Sequence, residues 1–226
     1  MLRNIFEKQD WHFVLLALLV VSAHAIIDRF NYYFLGEFWG LSTATWLWIG
    51  IIAAIIHQLY VMVIWRVQLE TQWLTVNLPR LGYLAYLIDY TIMLAARLGA
   101  IVLAAAANRG SIFIPDDARW ATAFILAIPF IWLIHSVVKY YSYKRIAGAD
   151  HFEPAYRDTS WTRKGIFQYV PRAVYVFGPL GFYIPGIVLT SPASLLLALF
   201  NHIYIWIHYY CTELPDIKRI YGPDNR

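Results

Sequence analysis

The chain alternates long apolar runs with short polar breaks, and the runs predict its elements. Six stretches, near 11–28, 45–65, 82–106, 119–138, 173–190 and 193–212, are long enough, or nearly so, to cross a hydrocarbon layer. That layer is about 30 Å thick and takes about 20 helical residues to span. Backbone groups find no water partner there, so each span must be helical. The first run has a second reading, because Ser22-Ala23-His24-Ala25 contains an A-x-A pattern like a signal-peptidase site. Glu7 and Asp10 stand where a signal peptide is basic, so the run is read as a span. The break Thr190-Ser191-Pro192 is short and uncharged, which makes the last two spans an antiparallel hairpin. Gly178, Pro179, Gly181, Pro185 and Gly186 interrupt the fifth run. Small residues there allow close helix approach, and prolines free backbone carbonyls. The expected fold class is all-α, a polytopic transmembrane helical bundle of about six spans ending in a helical hairpin. No heptad, solenoid period or long linker divides residues 1–226, which are read as one membrane domain.

Composition strengthens this picture. The chain is 60% hydrophobic and only 14% charged, against about 45–50% and roughly 25% in soluble domains. The single Cys211 excludes an intrachain disulfide and a cysteine-based metal cluster. The net charge of +4 does not point to nucleic acid, because Lys and Arg in a membrane protein record which loops stay inside. With the N-terminus inside, fourteen of the 18 basic residues fall on that side, and Arg29, Arg109 and Arg119 fall outside. Both termini and the loop 139–172 are therefore expected in the cytoplasm, in a bacterial inner membrane or the endoplasmic reticulum. That loop sets Tyr140, Tyr141, Tyr143, Trp161 and Tyr169 among basic residues. It reads as an interfacial segment held to anionic lipid and, in addition, as a cover over a site.

Polar residues inside the runs are the candidate chemistry. Asp89 and Arg97, as charges inside a run, are functional candidates by default and read otherwise as a structural pair or a contact with an interfacial headgroup, and His57 reads as a satisfied interior histidine. Trp46, Trp65 and Trp120 fall at span ends, as in an aromatic belt. The last run is different. Asn201, Tyr204, His208 and Thr212 share one helical face, and His202, Tyr209 and Glu213 form the adjacent stripe. A band of this size exceeds an ordinary interhelical hydrogen bond and must face the bundle interior or a watery cavity.

Four pieces in order carry a resemblance. They are Gly148-Ala149-Asp150-His151-Phe152, then Gly165-Ile166-Phe167-Gln168-Tyr169-Val170 with Ala173-Val174-Tyr175 and Gly178. Ser191-Pro192 with Leu195-Leu196-Leu197 follows, then Glu213-Leu214-Pro215 with Ile220-Tyr221-Gly222. Together they resemble the phosphatidylethanolamine N-methyltransferase family, within the wider group that includes isoprenylcysteine carboxyl methyltransferases. Pro171-Arg172-Ala173 replaces the R-H-P of many relatives, and Leu214 replaces the second glutamate of an acidic pair. The resemblance implies methyl transfer from S-adenosylmethionine to a membrane lipid, most simply a phospholipid amine, at the cytoplasmic face. Spans 1–138 would then be scaffold, and 139–226 the catalytic part with the cofactor site. Glu213, His208, Tyr209, Arg172, Tyr175, Gly165 and Tyr169 are the expected cofactor-binding residues. Glu213 would pair with the donor's ammonium, and Arg172 with its carboxylate or a lipid phosphate. An amine acceptor must be neutral to react, so a base is needed, and His208, Asp150 and His151 are the candidates.

Other readings remain. A non-enzymatic or inactive membrane protein would bind no donor. A sterol-reductase-like NADPH enzyme would want a further basic cluster for the 2′-phosphate. A transporter would want midplane polar groups on several helices in repeated halves. No H-E-x-x-H or comparable spacing occurs, so no metal is expected.

Overall fold

The computed structural model describes residues 2–79, 81–157 and 162–222; Trp161, and Arg80 and Arg226 among the fourteen basic residues counted inside, lie outside them. A short α1 (Leu2–Ile5) leads into α2 (Gln9–Arg29). A small antiparallel hairpin, β1 (Glu37–Phe38) and β2 (Leu41–Ser42), turns the chain into α3 (Thr43–Thr71). Then come α4 (Trp73–Asn77), α5 (Gly82–Ala107) and α6 (Asp116–Ser136), which runs on into a π-helical turn at Val137–Tyr141. The loop contains α7 (Tyr143–Ile146) and α8 (Ala149–Phe152). The C-terminal part is α9 (Ala173–Phe177), α10 (Leu180–Val188), α11 (Pro192–His208), a second π turn at Tyr209–Glu213, and α12 (Leu214–Tyr221).

The runs Leu2–Arg29, Thr43–Thr71, Gly82–Ala107 and Asp116–Tyr141 are long and apolar enough to cross a membrane. The last two predicted stretches form the expected hairpin and are shorter. The first of them breaks at Gly178-Pro179, between α9 and α10. The second, α11, has 17 residues, about 25 Å at 1.5 Å per residue. Its start is fixed locally. Pro192 sits at the first helical position, and the Ser191 hydroxyl accepts from the Ser194 N–H at 3.2 Å.

The helix α11 is the centre of the bundle, packed against α2, α3, α5 and α10, while α3 and α5 form the most extensive pair. Leu47, Ile51 and Ala54 of α3 meet Ile101 and Ala104 of α5 and Leu197 and Ala198 of α11. Gly50 permits the α3–α11 approach, because a Cβ there would run into the Leu197 side chain. Lipid-side positions such as Ile92, Phe124, Ile125 and Ile128 are apolar and exposed, as a bilayer requires.

Polar groups gather at both ends. At one end Asn108 ties the turn after α2 to the hairpin connection. Its Nδ2 donates to the carbonyls of Tyr33 and Leu35 at 2.9 and 2.8 Å, and its Oδ1 accepts from Ala193 N at 3.0 Å. At the other end Arg219 of α12 reaches Glu7, Glu70 at 3.2 Å and the Asn4 carbonyl at 2.9 Å. Tyr83 of α5 donates to the Lys144 carbonyl at 2.7 Å. The N-terminal segment, the long loop and α12 thus share one end of the bundle, as the charge count required.

Two aromatic-belt expectations change. Trp46 and Trp65 are buried, with indole N–H groups donating to the Phe38 carbonyl at 3.0 Å and to Tyr86 at 2.7 Å. A residue at a predicted span end can still face inward, because α3 extends past that end as far as Thr71. Trp120 is exposed, as a belt residue should be.

Candidate active site

The polar band on α11 faces the bundle interior. Asn201, Tyr204, His208, Tyr209 and Thr212 are all buried. The π turn after His208 widens the helix for one turn, a distortion that recurs at functional sites. It sets Glu213 on one side and, three residues on, Asp216 on the other.

On the first side the Tyr175 hydroxyl donates to Glu213 Oε2. Glu213 Oε1 has no hydrogen-bond partner among the described residues. The Tyr209 ring lies 4.6 Å from that of Tyr175, and the Arg172 guanidinium sits over Tyr209 at 5.2 Å. Burial pushes the Glu213 carboxyl up to about 7, although the Tyr175 hydrogen bond works against this. Glu213, Tyr175, Tyr209 and Arg172 therefore come together, four of the predicted cofactor residues.

On the second side Asp216 is fully buried and pairs with Arg66 Nε at 2.7 Å and with His151 Nε2 at 3.4 Å. Arg66 also donates to the Cys211 and Thr212 carbonyls, both at 3.2 Å, which the π turn leaves available. His151 Nδ1 faces Asp150 Oδ1 at 3.1 Å, and Asp150 Oδ2 accepts from Tyr221 at 2.9 Å. Burial alone would lower the His151 pKa, but its two carboxylates hold it up at about 9. Burial raises Asp150, and its bonds to His151 and Tyr221 outweigh this and leave it below the usual carboxylate value. The Trp65 ring stacks on His151 at 4.3 Å. Gly148, with φ +79°, brings the loop against Trp65, where a Cβ would strike the indole. Asp150 and His151 are thus held in a closed ion network under the site.

Between these two sides stands His208. It is buried, and neither ring nitrogen has a hydrogen-bond partner. Trp65 meets it edge-on at 5.8 Å, and His12 lies 6.1 Å away. His12, by contrast, is fully engaged. Gln9 Nε2 donates to the Cys211 carbonyl at 3.0 Å, so Gln9 Oε1 accepts from His12 Nδ1–H at 2.8 Å. Tyr204 then donates to His12 Nε2 at 3.2 Å.

Two predicted residues lie apart from this cluster. Gly165, with φ +59°, starts a 3-10 turn against α6, where the Ile166 N–H donates to the Ser136 hydroxyl at 3.0 Å. Tyr169 is exposed and packs on Trp132 at 5.7 Å. Sequence reasoning missed Arg66, Asp216, Gln9 and His12. Asp216 was within reach, since His208, Thr212 and Asp216 recur every four residues.

The comparisons with known proteins fall on this same region. Residues 118–224 match the phospholipid methyltransferase family. Phosphatidylethanolamine N-methyltransferase of Scheffersomyces stipitis is 26% identical over 132 residues, and that of Debaryomyces hansenii 29% over 134. Each match covers 54% of this chain and 15% of the relative. The chain therefore spans only a small part of these relatives' length. No solved structure matches it significantly. The motifs that carried the resemblance, the π turn and Glu213 all lie in the segment that is similar to the phospholipid methyltransferases.

Proposed function

We propose that this protein is an integral-membrane methyltransferase that uses S-adenosylmethionine to methylate a phospholipid amine at the cytoplasmic face. The observation that carries the reading is Glu213. It is a half-buried carboxylate with one oxygen uncommitted, held by Tyr175 inside the segment that matches the family. The donor supplies an electrophilic methyl group on a sulfonium, together with an ammonium and a carboxylate. These residues fit it. Glu213 Oε1 would take the ammonium, a charge-assisted contact strengthened where water is scarce. Arg172 offers its planar fork to a carboxylate. Tyr175 and Tyr209 form an aromatic wall beside them.

Of the three acid–base candidates, His208 is the base. Its ring is uncommitted and faces the interior, so it can take a proton from an ammonium placed against it. His151 is held protonated between two carboxylates, and Asp150 is saturated by His151 and Tyr221. Those two fix the loop and α12 around the site, excluding water and aligning the reactants. Gly165 and Tyr169 shape and anchor the loop at the membrane rather than touching the donor.

Calorimetry with S-adenosylmethionine and S-adenosylhomocysteine on the detergent-purified protein tests this. Saturable binding that is lost in Glu213→Ala is expected. The absence of binding in lipid-supplemented detergent would sink the methyltransferase reading and favour a non-enzymatic protein or a nicotinamide enzyme.

A further inference from the structure

Deeper in the bundle lies a second polar group, which joins α3 and α5, outside the matched segment, to α11. Arg97 of α5 is 2% exposed. Its Nε donates to Asn201 Oδ1, its Nη2 approaches the Asn201 carbonyl at 3.5 Å, and its Nη1 donates to His57 Nδ1 at 3.4 Å. All these partners are neutral. Among the described residues no carboxylate pairs with it. Asp89, on the same helix, accepts from Tyr60 at 2.9 Å at an exposed position instead. The expected interior pair of charges is therefore not formed.

The His57 contact fixes a tautomer. A guanidinium only donates, so His57 Nδ1 accepts and His57 Nε2 carries the hydrogen. That Nε2–H is buried and has no partner. The bundle interior thus holds an uncompensated cation, with an unpaired donor on the far side of the His57 ring. A buried charge without a counter-charge is costly, and intramembrane cations mark ligand pathways.

We propose that Arg97, positioned by His57 and Asn201, is an oxyanion site that takes the phosphate of the phospholipid substrate. The proposal rests on the methyltransferase reading for its purpose. It explains why the cation lacks a carboxylate partner: the substrate brings the counter-charge. It also separates two subsites along α11. Asn201, which holds Arg97, and Glu213 are twelve residues apart, about 18 Å along a helix. His208 lies between them with both ring nitrogens uncommitted, where the amine of a lipid anchored at Arg97 would fall. The phosphate subsite and the donor carboxylate are distinct, so lipid and donor binding should be separable by mutation.

The test measures binding of short-chain phosphatidylethanolamine, short-chain diacylglycerol, inorganic phosphate and S-adenosylhomocysteine to the purified full chain in detergent. Wild type should bind the phospholipid at least tenfold more tightly than the diacylglycerol. Inorganic phosphate should compete with the phospholipid. Arg97→Gln should weaken phospholipid binding about thirty-fold, the loss typical of truncating one partner of a buried charge pair, with S-adenosylhomocysteine affinity within about twofold. His57→Phe should give a smaller loss of the same kind. If Arg97→Gln fails to fold, His57→Phe and the wild-type comparison decide. Equal affinity for phospholipid and diacylglycerol overturns the proposal, and so does phosphate binding that the phospholipid does not displace. Loss of S-adenosylhomocysteine binding alone in wild type would instead refute the methyltransferase reading and leave the phosphate preference standing.

Discussion

Both ends of the bundle gather polar groups, and they finish the task differently. At the Asn108 end one neutral amide meets three acceptors and two donors, from Tyr33, Leu35, Ser111, Ser191 and Ala193. Its hydrogen-bonding capacity is used up. At the α12 end the groups are charged, and the network is complete on one side only. Arg66, Asp216, His151 and Asp150 balance one another's charge as ion pairs, whereas Glu213 Oε1 and both His208 nitrogens have neither an ion-pair nor a hydrogen-bond partner among the described residues. A saturated hub holds chain segments together. An unsaturated group beside a saturated charged network is placed to receive a ligand.

The sharpest way to break this contrast is Asp216→Asn. It leaves Arg66 buried without a counter-charge and takes one carboxylate from His151. Removing one partner of a buried pair costs about 3–5 kcal/mol. Thermal unfolding in detergent should show the largest drop of any single change at either end. A drop smaller than that of Asn108→Ala would mean that the charged network carries no special weight.

Next in size is the pH response of the same network. The His151 pKa is raised from 6.5 to about 9. The folded state therefore binds the proton more tightly than the unfolded chain. The resulting stability is fully present below pH 6.5 and is lost as pH rises through 9, an effect on the order of 3 kcal/mol. Thermal midpoints should fall between pH 6.5 and 9, and His151→Gln should flatten that slope. The hydrogen-bond partners of Asn108 are backbone groups and serine hydroxyls, none of which titrates, so Asn108→Ala should lower stability by about 1–2 kcal/mol with the slope unchanged. Its donor affinity should equal that of wild type.

The sequence revealed the two ends unequally. Helix positions followed from apolar run length, and the hairpin from Thr190-Ser191-Pro192. The interior face of α11 followed from the spacing of Asn201, Tyr204 and His208. Partners far apart in the chain could not be read this way. Arg66 looked like one more positive-inside residue, because nothing local announces that it meets Asp216, 150 positions later. Trp65 looked like a belt residue until α8 was found stacked on it. The π turn was equally hidden, because its Cys211 and Thr212 carbonyls are met by Arg66, a residue far away in the chain.

The smallest stability effect, and the most diagnostic sign, belongs to Glu213→Gln. The Glu213 carboxyl is pushed up to about 7 by burial. Its folded pKa exceeds its unfolded one, so the stability linked to its proton is present below 4.5 and lost as pH rises through 7. Above pH 7 the ionised side chain is a cost to the fold. Glutamine keeps the Tyr175 hydrogen bond without that charge, so Glu213→Gln should change stability by less than about 0.5 kcal/mol, or raise it. S-adenosylhomocysteine affinity should nevertheless fall about tenfold, the worth of one charge-assisted hydrogen bond. Wild-type affinity should also rise as pH passes through 7, because only the carboxylate pairs with an ammonium, and the glutamine variant should be flat over that range. Asp216→Asn would show the opposite balance, with a large stability loss and no comparable pH-dependent binding term. If Glu213→Gln instead behaved like Asp216→Asn, Glu213 would be one more member of the closed network, and the line between the holding part and the receiving part of this end would have to be redrawn at His208.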